Sequence, residues 1–190
     1  MKIANLFLAG LLACGAAAAQ HHGSYAGQQD RAIKALSDEE TKQYLAGAGM
    51  GYARAAELNG YPGPMHVLEL ADKLGLTPEQ RAATQRLMET HKAEARAIGA
   101  KRVAAEKSLD ELFRSGRADA KQVSEAVRAA SQIEGEYRLT HLDTHLKMRA
   151  LLSDRQVAQY SVLHKNAAGK TGGQYRRLAY EAKLLAKRRG

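Results

Sequence analysis

Two segments of this chain carry apolar residues at helical steps over unusually long runs. From Pro78 to about Phe113 a stripe passes through Leu87, His91, Ala95, Ile98, Arg102, Ala105, Leu109 and Leu112 or Phe113, in steps of three and four. The mean period is about 3.5, the signature of an α-helix with one packed face. From Ala120 to about Ala150 a second stripe passes through Val123, Val127, Ala130, Glu134, Tyr137, His141, His145 and Met148. This segment also holds Leu139, Leu142 and Leu146, turned from the first stripe by more than about 90° at about 100° per residue. A helix with two apolar faces needs cover on both. Arg114 to Ala118, containing Gly116, reads as the turn between the segments. The pattern therefore predicts an all-α protein built on a long antiparallel helical hairpin. Additional short N-terminal helices or a second subunit would cover the remaining face.

Helix-start signals punctuate the pattern. In Leu76-Thr77-Pro78-Glu79-Gln80, Thr77 is an N-cap, Pro78 fits the first helical position, and Gln80 at N3 can reach back to the cap. The same grammar returns in Leu152-Ser153-Asp154-Arg155-Gln156, which opens a last helix running to about Lys165. Asp119 with Gln122 caps the second long helix. Ser37 with Glu40 opens a first short helix that ends at Gly47 or Gly49. Met50 to Asn59 predicts a second, and Pro64, after the Pro62-Gly63 break, a third that ends at Gly75.

Composition fits this picture and adds an address. The chain is 5% aromatic, without Trp and with 3 Pro, so its core is thin and padded with alanine. Lys2, an apolar run from Ile3 to Leu12 and the small residues Ala17-Ala18-Ala19 predict a cleaved signal peptide over 1–19 and export to the periplasm. The alternative is a lipoprotein anchored at Cys14, after Leu11-Leu12-Ala13. Cleavage after Ala19 removes Cys14, the single cysteine, and with it thiol catalysis, disulfides and cysteine metal sites. Residues 20–35 read as a flexible leader with His21 and His22 beside the new N-terminus, 36–165 as the helical domain, and 166–190 as a basic tail.

The formal net charge of +9 is concentrated at the end of the chain. Residues 165–190 hold Lys165, Lys170, Arg176, Arg177, Lys183, Lys187, Arg188 and Arg189 against Glu181 alone. Such a tail could bind nucleic acid, but an exported chain rarely meets any, so none is expected. Anionic lipid or cell-wall polymers are the expected contacts of this tail.

The candidate chemistry is sparse. No phosphate loop, nucleophile elbow, zincin motif or mature cysteine is present, and Glu39-Glu40 and Asp110-Glu111 point apart on a helix, so no enzyme is expected. His141 and His145, at i and i+4 with Met148 a turn later, share a helical face, and His66 with Glu69 share another. Facing one another, they would form a metal site for Zn, Cu or Ni. The alternative is that His141 and His145 are packing residues of the hairpin stripe.

The two copies of the capping signal, at 76–80 and 152–156, resemble the LTxxQ motif of the Spy/CpxP family, with Ser153 in place of Thr in the second. The stretches Tyr25 to Ser37 and Asn59 to His66 also look like one branch of these proteins. The resemblance covers roughly 25–165; the basic tail departs from the common short form. It implies a cradle-like antiparallel homodimer and a role in the envelope stress response. That role is ATP-independent chaperoning of partly unfolded envelope proteins or, as the alternative, heavy-metal sensing or resistance through His and Glu ligands.

Overall fold

The computed structural model describes residue 25 and residues 27–164. The expected signal peptide, Cys14, His21, His22 and the basic tail lie outside the described residues. The helices in order are α1 (Asp38–Ala46), α2 (Arg54–Glu57), α3 (Pro64–Glu69), α4 (Ala71–Leu74), α5 (Pro78–Arg114), α6 (Ala120–Leu151) and α7 (residues 154–164). No strand occurs among the described residues, and Ile33 and Leu36 form one isolated bridge. The all-α hairpin is the architecture found.

The capping chemistry behaves as its residue types dictate. Thr77 accepts from the Gln80 N–H while the Gln80 side chain accepts from the Thr77 N–H, and Ser37 and Glu40 do the same at α1. Asp119 caps α6. Gly47 and Gly75 end α1 and α4 in the left-handed conformation.

Three expectations need correction. The helix expected over 50–59 shrinks to α2, because Met50 and Gly51 take positive φ and turns fill 50–53. The helix expected from Pro64 to Leu74 is interrupted at Leu70, which leaves helical geometry at φ −101°, ψ 11°. The folded body also begins before Leu36, since Ile33 is buried beside it.

Two apolar clusters stack along the hairpin. The upper joins Ile33, Leu36 and Tyr44 to Ala95 of α5 and Tyr137 of α6. The lower joins Val67 and Leu74 to Met148, Leu152 and Tyr160. The short N-terminal helices thus cover the first stripe of α6 from Tyr137 to Met148. They leave the second stripe open, with Leu139 63% and Leu146 55% exposed. Between the clusters lies a layer of histidines.

Candidate functional site

The two capping motifs meet. The Gln80 and Gln156 side-chain amides pair reciprocally, with Nε2–Oε1 distances of 3.0 and 2.9 Å. Each Oε1 also accepts the N–H of its own cap, Thr77 at 3.1 Å and Ser153 at 2.9 Å. Each Nε2 reaches a carbonyl two residues before the opposite cap. Gln80 reaches Leu151 O at 2.9 Å, and Gln156 reaches Gly75 O at 3.5 Å and Leu74 O at 3.4 Å. The arrangement is pseudo-two-fold, and both donors and acceptors of each amide are engaged. It ties the start of α5 and the start of α7 to the ends of α4 and α6. Leu76 and Leu152 pack in the lower cluster beneath, while Pro78 and Glu79 stay at the exposed first turn. The motif residues thus form a structural clasp.

Above the clasp sit His91, His141 and His145. His141 is 3% and His145 6% exposed, and His91 is half-buried. His141 Nδ1 is 2.9 Å from the Tyr137 carbonyl, and His145 Nδ1 is 2.9 Å from the Tyr61 carbonyl. A carbonyl only accepts, so both rings carry their proton on Nδ1. His91 Nδ1 lies 3.0 Å from Thr144 Oγ1, whose own hydrogen goes to the Thr140 carbonyl at 2.8 Å. His91 is therefore the donor as well. The His91 and His141 rings meet edge-on at 4.7 Å. Burial lowers the proton affinity of both, and that of His91 falls to about 4, helped by the neighbouring His141 and His145. In His141 the Tyr137 and Ala48 carbonyls oppose the shift.

A cavity of about 270 Å³ borders this layer, lined by all three rings, His66, Met88 and the small residues of the 46–49 loop. Gly63 forms another wall, where a Cβ would come within 2.9 Å of His145 Cε1. Glu57 Oε1 stands 3.8 Å from His145 Nε2.

Of the five metal candidates expected from spacing, His66, His141 and His145 border this one cavity, and Glu69 and Met148 do not. His66 does pair with Glu69 at 3.0 Å, but its ring lies against His164 at 5.2 Å. Met148 is fully buried in the lower cluster, and neither it nor Glu69 lines the cavity. Among the described residues no three His, Cys, Asp or Glu side chains gather closely enough to hold a metal ion. His91 and Thr144 were not among the expected site residues. The signal for His91 was its distance in sequence from Gly116, which equals that of His141, so a symmetric hairpin places the two opposite each other.

The fold and the clasp define a class: helical-hairpin proteins locked by two paired capping motifs. The LTXXQ motif family model matches residues 64–164, more than half of the chain. The chain belongs to this family, which includes the Spy/CpxP-type periplasmic proteins. No curated protein and no solved structure matches it. No helix among the described residues is long and apolar enough to cross a membrane.

Proposed function

We propose that this chain is an exported, ATP-independent chaperone that holds partly unfolded envelope proteins in the periplasm and works as a homodimer. The observation that carries this reading is the second stripe of α6. Leu139 and Leu146 stand exposed, with Leu142 half-buried between them. Arg138, Asp143, Lys147 and Arg149 border the row, and Lys147 and Asp143 pair at 2.7 Å. Exposed apolar side chains within a rim of mixed charge suit weak, reversible hold of apolar client segments. Membership of a family that includes Spy/CpxP-type proteins supports the same reading. The role needs no catalytic residue.

The test is light scattering from a denatured client protein diluted into buffer with the chain present. The double variant Leu139→Asp/Leu146→Asp should lose most of the suppression while keeping its helical circular dichroism, because both side chains are exposed. Undiminished suppression would sink this assignment of the face. Multi-angle light scattering tests the dimer separately, and a monomer at working concentration would remove that part.

A further inference from the structure

We infer that the cavity beside the histidine layer binds a primary ammonium group on a short apolar stem, held between His145 Nε2 and the Glu57 carboxylate. His145 commits its Nδ1–H to the Tyr61 carbonyl at 2.9 Å. In the neutral ring this leaves Nε2 as a lone pair. That atom faces Glu57 Oε1 at 3.8 Å, beyond hydrogen-bond reach. Both are acceptors, so neither satisfies the other. His145 is 6% exposed, and an acceptor at so buried a position is costly without a donor. A nitrogen placed about 2.8 Å from each atom spans the gap and donates to both. Glu57, Gly63 and His145 all line the same cavity. Gly63 has no side chain, and a Cβ there would stand 3.3 Å from Nε2, so glycine keeps the approach to that atom clear.

The chemistry of the pair and of its walls selects the ligand. Two acceptors, one of them a carboxylate, call for a cation that carries its own N–H donors, and an ammonium group has three. A hydroxyl or a neutral amide brings no charge to meet Glu57, and a quaternary ammonium brings charge without a donor. Two groups are too few to hold a metal ion, and no larger cluster of His, Cys, Asp or Glu gathers among the described residues. Beyond the pair the cavity is walled by Ala46, Ala53, Pro64 and Met88. These apolar groups suit a stem of a few methylenes, for which about 270 Å³ is ample. Lys92 also borders the cavity, but it is exposed on α5, where water screens its charge. A free alkylamine and the end of a lysine side chain share this chemistry.

The experiment is titration of the purified chain with n-butylammonium chloride at pH 7.5, followed by nuclear magnetic resonance of the backbone amides and the histidine ring nitrogens. The resonances of Glu57, Gly63 and His145 Nε2 should move and saturate. Butyrate, n-butanol and tetramethylammonium, which each lack either the charge or the donors, should leave them in place. Glu57→Gln keeps an acceptor but removes the charge, and should weaken binding by about 10-fold. His145→Asn keeps the donor to the Tyr61 carbonyl but removes the second acceptor, and should abolish binding. Circular dichroism checks that each variant is folded; should His145→Asn fail that check, Glu57→Gln carries the test, since that side chain is partly exposed. A lysine blocked at both backbone ends separates the two sources: saturation by it as tight as by n-butylammonium points to a polypeptide lysine, and saturation by n-butylammonium alone to a free amine. No saturable shift, equal shifts with tetramethylammonium or butyrate, or undiminished binding in folded Glu57→Gln would each overturn the proposal. So would a His145 ring with protons on both nitrogens at pH 7.5, because the imidazolium would then meet Glu57 itself.

Discussion

One residue type separates the capping boxes of this protein. At α1 the N3 position is Glu40, whose carboxylate accepts the Ser37 N–H at 2.9 Å and the Ser37 hydroxyl at 2.7 Å. A carboxylate suffices there because the box faces solvent. At α5 and α7 the N3 position is glutamine, because each box meets the other and the side chain has to donate as well as accept. Gln80→Glu isolates this difference. It keeps the acceptor for the Thr77 N–H but loses the donors to Leu151 O and Gln156 Oε1 and sets a carboxylate against a carbonyl. The expected loss is about 1–3 kcal/mol at pH 7 in urea unfolding, whereas Glu40→Gln, which keeps an acceptor at N3 of a solvent-facing box, should cost under about 1 kcal/mol. Equal effects of the two exchanges would refute the clasp. The sequence made each cap legible, since capping is local. The pairing of Gln80 with Gln156 was not legible, because it depends on how α4 and α6 end beside each other.

At the scale of elements, the two long helices were readable to within a residue or two because their period persists for many turns. The short N-terminal helices were not, since packing against α5 sets their ends. Gly99 shows that packing. It lies inside α5, where glycine costs helix stability, yet a Cβ there would collide with the Tyr44 carbonyl near the end of α1. Gly99 is the notch that lets α1 lie on α5, and periodicity does not reveal a notch. Gly99→Ala should therefore destabilise by about 1–3 kcal/mol through overpacking. Gly135→Ala on α6 is the matched control, because a Cβ there meets nothing within 4 Å. That exchange should stabilise by about 1 kcal/mol. Thermal melts of the two variants should move in opposite directions, and a stabilising Gly99→Ala would show that α1 does not pack closely here. The same distinction between local and tertiary information separates the candidate metal residues. The i, i+3 pair His66–Glu69 forms as spacing predicted. Met148, also well spaced, is drawn into the lower cluster because the end of α6 packs on Val67 and Leu74.

For the whole molecule, the histidine layer makes stability depend on pH in a calculable direction. His91 and His141 are held neutral by burial, so their folded proton affinities lie below the usual value of about 6.5. Between about pH 6.5 and the folded value of about 4 for His91, the unfolded chain binds protons that the folded chain refuses. Stability therefore rises with pH across that window; it is full above about pH 6.5 and is lost as pH falls. Each histidine contributes at most about 1.4 kcal/mol per pH unit, and half-buried His91 less, because solvent screens it. Glu40 acts in a lower window. Its affinity is lowered by the hydrogen bonds from Ser37, so its contribution is present above the usual carboxylate range and is lost only below it. The other titratable groups at the layer are Glu57, 3.8 Å from His145, His66 at the cavity, and Lys92 beside His91 on α5. Chemical unfolding at pH 7.0, 6.0 and 5.0 should give a steadily falling free energy. His91→Gln should flatten the fall without removing it, since His141 still titrates. A wild-type curve that is flat from pH 7 to 5 would mean that the layer takes up protons in the folded state. The two helices of the hairpin would then be separated there by solvent rather than joined through buried, neutral rings.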